Sequence, residues 1–350
     1  EAEILATELP EDPYLAQRLI DYFPAILSER LGDAMRIHPL AREIITTVVV
    51  HRFVDSQGIS AASRLAEESG ASSADVIRAQ LTARSVLAIA RAEGAVREVP
   101  MSEQARLVVR LRLRRVVELD TRWILHNHLA ALDPARDGIA GLVREYRDDV
   151  AVVLEAIPEL LTEEGRREYA ADSSQLRSEG VPADLAANTA RWSRAHQVLP
   201  IVGIAHICRC SPTLTARVFF GLSERIGMDA LIGRVEALPR SNRWDILARA
   251  AIRDELQSAR ETICQVVLSG AEMTRSVPSE SSPASSPPGI VSSDGHQVGE
   301  CTVDDESAVA AAIVEQWWRG NPRAARCADR LAQLNVGEMD LARASVGLRA

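Results

Sequence analysis

Apolar residues recur at spacings of three and four along nearly the whole chain, and that period predicts helices. Tyr14 to Leu31 is amphipathic and is interrupted at Phe23-Pro24, where proline ends or restarts a helix. His38-Pro39 places a proline at an expected first helical position. The run Ile44–Val50 is β-branched and, taken alone, fits a buried strand as well as a helix. The proline start and the Gly58 stop enclose about 18 residues, a length that favours helix. Ser60 to Ser69 reads as a short helix ending before Gly70. Ser72-Ser-Ala-Asp75 then has capping-box spacing, and the helix it opens is expected to run to Gly94.

The pattern continues with a long helix over about Ser102–Leu129 and a turn at Asp133-Pro134. Helices follow over Asp137–Ala156, Glu159–Ser178 and Ala183–Val198, punctuated by Pro158, Gly180-Val-Pro182 and Pro200. Ser211-Pro212 is a cap-plus-proline start for a helix to Ile226. Asp229–Leu238 is short. Ser241 is expected to cap a helix reaching about Leu268, with Trp244, Leu247, Ala251, Leu256 and Ile263 facing inward. Three short helices are expected at about Ser307–Arg319, Arg323–Gln333 and Asp340–Leu348. The class is all-α.

One stretch breaks the pattern. Ser276–Glu306 is rich in Ser, Pro and Gly and almost free of large apolar side chains, too few to offset the entropy of ordering it. The expected organisation is therefore a helical region over 1–270, a flexible Ser/Pro/Gly-rich linker or insertion over 271–306, and short helices over 307–350 packing back on the helical region.

Composition removes several chemistries. All 40 basic residues are arginine. Without lysine there is no Schiff base and no P-loop. The net charge of −9 and only 5 Trp, 4 Tyr and 4 Phe speak against general nucleic-acid binding and base stacking. The apolar runs fall far short of the roughly 18 residues a membrane helix needs. Glu1-Ala2-Glu3 lacks a basic leader and reads as a cut from a longer chain. Five cysteines, an odd number, point to a reducing cytoplasm.

Candidate sites are few. Ile59–Glu68 and Ser73–Arg91 have helix-turn-helix length, but Arg78, Arg84 and Arg91 make a thin basic footprint, and an αα-hairpin looks the same. Arg106, Arg110, Arg112, Arg114 and Arg115 form the densest basic run. They could hold phosphate, though on a helix they spread over several faces, where pairing with carboxylates is the favoured reading. His206-x-Cys208-x-Cys210 has metal-like residues, yet on a helix its spacing fans them apart, and the same holds for His126-x-His128. His38, near Glu43, could be a base, but with no nucleophile nearby it reads better as a residue bonded to backbone at a helix start. No GxGxxG, GxSxG, HExxH or CxxC occurs.

Several strings in order are similar to the C-terminal region of the large bacterial NAD-specific glutamate dehydrogenases. They are Tyr22-Phe23-Pro24, His38-Pro39-Leu40-x-Arg42-Glu43-Ile44-Ile45-Thr46-Thr47, Gly58-Ile59, Glu67-Glu68-Ser69-Gly70-Ala71 and Ala83-Arg84. Thr121-Arg122-Trp123-Ile124-Leu125, Phe220-x-Leu222 through Asp229, and Leu238-Pro239-Arg240 through Leu256 follow. The tail from Asp340 to Arg349 completes the resemblance, and 276–306 departs from it. The resemblance implies oxidative deamination of L-glutamate by NAD and a longer chain with a Rossmann-bearing catalytic part upstream. That family's chemistry uses catalytic lysines, so no catalytic, cofactor-binding or metal residue is assigned here. NAD is expected for the full-length enzyme and none on this segment. The expected role is a scaffold for packing on the catalytic part and for homo-oligomer formation, or a regulatory part, with neither nucleic acid nor membrane as partner. The alternatives are a stand-alone helical interaction module or a helix-turn-helix DNA-binding protein.

Overall fold

The computed structural model describes residues 1–128, 138–239, 241–275 and 303–333, and all regular structure among them is helical. The helices are α1 (Ala2–Leu5), α2 (Ala16–Tyr22), α3 (Ala25–Leu31), α4 (Ala41–Gln57), α5 (Ala61–Ser69), α6 (Ser73–Val86) and α7 (Ile89–Glu98). Next come α8 (Glu103–His128), α9 (Gly138–Leu160), α10 (Glu163–Ser178), α11 (Ala183–Ala195) and α12 (Val198–Cys208). The series ends with α13 (Pro212–Ile226), α14 (Met228–Ala237), α15 (Arg243–Arg275), α16 (Val303–Gly320) and α17 (Pro322–Gln333). Two compact units divide within α12, at Gly203 and Ile204.

In the first unit α6 is the centre. Ten of its fourteen residues are buried, with α8 and α9 packed on it. The Ser72 hydroxyl accepts from the Asp75 amide and Asp75 reaches back to the Ser72 amide, so two end donors are satisfied locally. The β-branched run Ile44–Val50 lies in α4. Ile45, Val49, Phe53 and Gln57 are buried at four-residue steps, and that wider period decides for helix over strand. α4 stops at Gly58, whose φ of +91° strains any side chain. A Cβ there would also lie 2.9 Å from an Arg114 guanidinium nitrogen.

Several boundaries differ from expectation. Pro39 is in a turn, and α4 begins at Ala41. The helix begun at Ser73 does not reach Gly94. It breaks at Ala88, in the left-handed region at φ +50°, with buried Leu87 and Ile89 on either side, and Gly94 lies inside α7. Pro158 sits in the last turn of α9 rather than between helices, and α10 starts at Glu163 under a Thr162 cap. α12 was not expected at all. Gln197 to Ala205 are buried without a break, so there is no polar face to reveal a period. Pro200 falls in its first turn, where no intrahelical bond is lost.

In the second unit α13 and α16 run side by side in the same direction. Glu306, early in α16, accepts from the Ser211 hydroxyl at 2.9 Å and the Thr213 hydroxyl at 2.7 Å, at the start of α13. At the far end Glu315 pairs with Arg225, and the Arg225 guanidinium lies 5.7 Å from the Trp318 ring centroid. Between these ends Gly221 lets Val314 come close; a Cβ at 221 would sit 3.4 Å from it. Ile226, Met228, Leu231, Val235 and Leu256 form an apolar core closed by Ile252, Ile263 and Trp318. Phe219 is fully buried, and the Arg260 guanidinium lies 4.5 Å from its ring centroid.

On α15, Leu256 is buried and Leu247 and Ile263 partly so, as expected, whereas Trp244 and Ala251 are exposed. Its cap is Asn242, whose side chain accepts from the amides of Trp244 and Asp245, not Ser241. α15 extends to Arg275 and α16 begins at Val303, so helix takes up residues at both margins of the expected 271–306 linker. The rest of that linker, the Asp133-Pro134 turn and the Asp340–Leu348 helix lie outside the described residues.

Candidate functional site

The arginine run on α8 resolves into separate helix-to-helix contacts. Arg112 donates to Asp172 and to the Ser193 hydroxyl, both at 2.7 Å, joining α8 to α10 and α11. Arg114 donates to the Gln57 carbonyl at the end of α4. Arg106 donates to the carbonyls of Val96 and Arg97 at the end of α7. Arg115 stands 3.8 Å from Glu118, and Arg110 is exposed. Three of the five guanidiniums therefore hold neighbouring helices, Arg115 reaches a carboxylate on its own helix, and no common phosphate cradle forms.

The densest charged cluster lies between α5 and α8. Arg122 pairs with Glu68 and stands 3.5 Å from Glu118, which accepts from Arg64 at 2.9 Å. Glu68, Arg122 and Glu118 are 5%, 11% and 12% exposed. Burial by itself raises the Glu118 pKa. The Arg64 hydrogen bond and the charges of Arg64, Arg122 and Arg115 outweigh it and hold the carboxyl below its ordinary range. The pairing follows from position: Glu118 and Arg122 are one turn apart on α8, and Arg64 and Glu68 one turn apart on α5. The cluster is a lock between helices, and its charges are spent on one another.

Asp120 was not singled out from sequence. It is fully buried, neither carboxyl oxygen has a hydrogen-bond partner, and burial lifts its pKa well above the usual carboxylate value. Its neighbours one turn away on α8, Val116, Val117 and Ile124, are all buried. A charge on an otherwise apolar stripe was the signal that could have found it. A solute cannot reach it, so it does no solution chemistry. In the folded state Asp120 keeps its proton at pH values where the unfolded chain, with a carboxyl near 3.9, has lost it. Its contribution is therefore full below about pH 4 and is lost as pH rises toward the folded pKa. Asp120→Leu is expected to raise the unfolding free energy at neutral pH by about 1–3 kcal/mol. It should also flatten the decline between acid and neutral pH in urea titrations. Equal slopes for the two proteins would show that Asp120 ionises in place.

Other sequence candidates are also accounted for. His38 Nδ1 accepts from the Leu40 amide at 3.1 Å, and its ring packs 5.6 Å from Phe23, the backbone-bonded role expected of it. In the helix-turn-helix pair the second helix is α6, and Arg78, at 7% exposure, is bound to Asp75. Arg84 is held by both Glu93 oxygens. A helix enclosed in this way has no face to lay in a DNA groove. His206 and Cys208 lie at the end of α12, with the Cys208 thiol toward the Gln265 carbonyl at 3.9 Å and Cys210 beyond a left-handed Arg209. His126 is exposed, while the side chain of His128 lies outside those described. Among the described residues no three His, Cys, Asp or Glu side chains are grouped to hold a metal ion. No single described helix is long and apolar enough to cross a membrane.

A Rossmann site needs a strand, a Gly-rich turn and a helix N-terminus in succession, and the regular structure described is helical throughout.

Three of the residues that carry the family resemblance act as structural anchors. Arg42 donates to the Leu5 and Thr7 carbonyls at 2.8 and 3.0 Å. Arg122 belongs to the buried ionic lock, and Trp123 lies against Tyr146 and against Gly203, where a Cβ would come within 3.1 Å of the ring.

The whole chain, residues 1–350, matches the family model described as glutamate dehydrogenase, C-terminal. It is 32% identical over 272 residues to the NAD-specific glutamate dehydrogenase of Mycobacterium tuberculosis (strain ATCC 25618 / H37Rv), covering 77% of this chain and 16% of that protein. The NAD-specific glutamate dehydrogenases of Pseudomonas aeruginosa and Halomonas elongata are 31% and 28% identical, over 76% of this chain and 16% of theirs. The chain thus spans about a sixth of the length of these relatives.

Proposed function

Because the chain belongs to the glutamate dehydrogenase C-terminal family, we propose that it is the non-catalytic helical part of an NAD-dependent enzyme converting L-glutamate to 2-oxoglutarate and ammonia. The observation that carries this reading is the use of the family-like residues. Arg42, Glu68 and Arg122 are engaged in contacts between helices, and Trp123 packs at a helix contact. Glu68 and Arg122 are largely enclosed, at 5% and 11% exposure. The absence of lysine from the chain agrees, given a family chemistry that relies on it. In this reading NAD and substrate are held elsewhere in the full-length enzyme. This region packs on the catalytic part, supports a homo-oligomer and works in the cytoplasm.

The test is a pair of assays. Purified 1–350 is expected to show no glutamate-dependent NAD reduction and no NAD binding, whereas the full-length enzyme carrying this region reduces NAD. Turnover by 1–350 alone would overturn the non-catalytic assignment. An inactive full-length enzyme would overturn the dehydrogenase assignment.

A further inference from the structure

Large apolar side chains are left exposed unevenly. Among the described residues thirteen are exposed, and six of them fall within residues 22–40. They are Tyr22, Ile26, Leu27, Leu31, Ile37 and Leu40. Scattered apolar residues are ordinary on a protein surface, but a concentration of this kind is not.

The helix at the centre of this segment adds a second observation. α3 has seven residues, and none is buried. A helix so short is unstable in water by itself, because nucleation costs more than two turns of hydrogen bonds return. The segment is tied down at few points. The Ser28 hydroxyl donates to the Ile20 carbonyl at 3.1 Å, Phe23 packs on His38, and Met35 is buried at 4% exposure. Leu27 and Leu31 stand one turn apart, with Ile26 beside Leu27, and remain 39%, 52% and 64% exposed respectively. Their helical order calls for a surface outside the described residues.

The chemistry of the rim says what kind of surface. Asp21, Glu29, Arg30, Arg36 and Glu43 are exposed within and beside the segment, a mixture of both signs. A mixed polar rim about an apolar centre is the anatomy of a protein–protein contact. It does not provide the single-sign field that nucleic acid or an anionic membrane would need. Among protein partners, the relatives point to one. The matched stretch is 16% of their length and the family is a C-terminal one, so most of each relative's polypeptide precedes it. A surface on the same polypeptide meets this face at an effective concentration that a separate protein rarely reaches.

We propose that the apolar face of α2–α3 and the following turn, residues 22–40, is the docking face for an apolar surface on the preceding polypeptide of the full-length dehydrogenase. This rests on the reading of the chain as a C-terminal part of that enzyme. Tyr22, Ile26, Leu27 and Leu31 form the contact, and Met35 anchors the segment to its own unit.

Hydrogen–deuterium exchange tests the proposal. Amides of residues 22–40 are compared in the full-length enzyme and in 1–350 alone, the latter at two widely separated concentrations. Exchange is expected to slow at least about tenfold in the full-length enzyme and to stay fast in 1–350 at both concentrations. A full-length L27S/L31S variant is expected to lose that protection, and exchange of the α6 and α8 amides in the same sample checks that the first unit keeps its fold. Equally fast exchange in both proteins would overturn the proposal. Protection that grows with concentration in 1–350 would identify a second copy as the occupant and would also overturn it. Glutamate-dependent NAD reduction by the full-length enzyme is measured on the same sample. An active enzyme with an unprotected α3 defeats the docking face alone, and an inactive one defeats the parent reading.

Discussion

Arg122→Met is expected to lower the stability of the first unit by about 3–5 kcal/mol, the cost of leaving buried carboxylates without their cation. Glu68 would keep only Arg64, 3.8 Å away, and Glu118 would keep Arg64 at 2.9 Å. Both carboxylates are too enclosed for water to replace the lost guanidinium. The effect should depend on pH. Glu118 has a depressed pKa, so its contribution is present above the ordinary carboxylate value and is lost as pH falls through the folded value. Removing Arg122 moves that loss to higher pH. A compensating Glu68→Leu in the same protein should return much of the stability, since an apolar pair can fill the place of a buried ionic one. Denaturant-dependent hydrogen exchange in α5 and α8 reads the first unit separately. A cost below about 1 kcal/mol for Arg122→Met would place the cluster in effectively aqueous surroundings.

Phe219→Ala is expected to cost the second unit about 3–5 kcal/mol. The ring is fully buried, meets Phe220 edge-on at 5.9 Å, and carries the Arg260 guanidinium at 4.5 Å from its centroid. Truncation opens a cavity and takes away the face on which a nearly buried cation rests. Phe219→Leu separates these contributions, because leucine restores much of the volume and none of the π face. It should cost roughly half as much as the alanine change. Exchange of the α13 and α15 amides is the measurement. Equal losses for the two variants would mean that the ring's electron density, rather than its volume, dominates. No loss for either would refute the packing of Phe219.

The helical class, most helix starts and the Ser72 capping box were legible in the chain because each depends on residues close in sequence. The long α8, the Gly58 and Gly70 stops and the Ser211-Pro212 start are of that kind. What could not be read depends on partners far along the chain. α12 is buried from Val198 through Ala205, and a helix without a polar face has no period to detect. The break at Ala88 comes from burying Leu87 and Ile89 on either side of a bend, while Gly94, the apparent stop, is tolerated inside α7. Trp244 has the type of a core residue, but the face of α15 that it shares with Ala251 is exposed. For the candidate sites, the reading of the arginine run as paired helix faces was available from spacing alone. The partners were not: Asp172 is 60 residues from Arg112, and Gln57 is 57 from Arg114. Asp120 had a sequence signal, a charge on the apolar stripe of Val116, Val117 and Ile124, but its complete burial without a partner depends on what packs over that stripe.

The grip of Glu306 on Ser211 and Thr213 has a consequence for how this chain can vary. It fixes the start of α16 beside the start of α13, while α15 holds the other end of the intervening 27 residues at Arg275. The entropy of joining two fixed points rises only with the logarithm of the connecting length, about 0.6 kcal/mol for each doubling. Residues can therefore be gained or lost between those anchors at little expense to either helix. A change in the number of residues between Arg275 and Val303 would thus be felt as chain entropy, while two hydroxyls and one carboxylate keep the start of α16 in place.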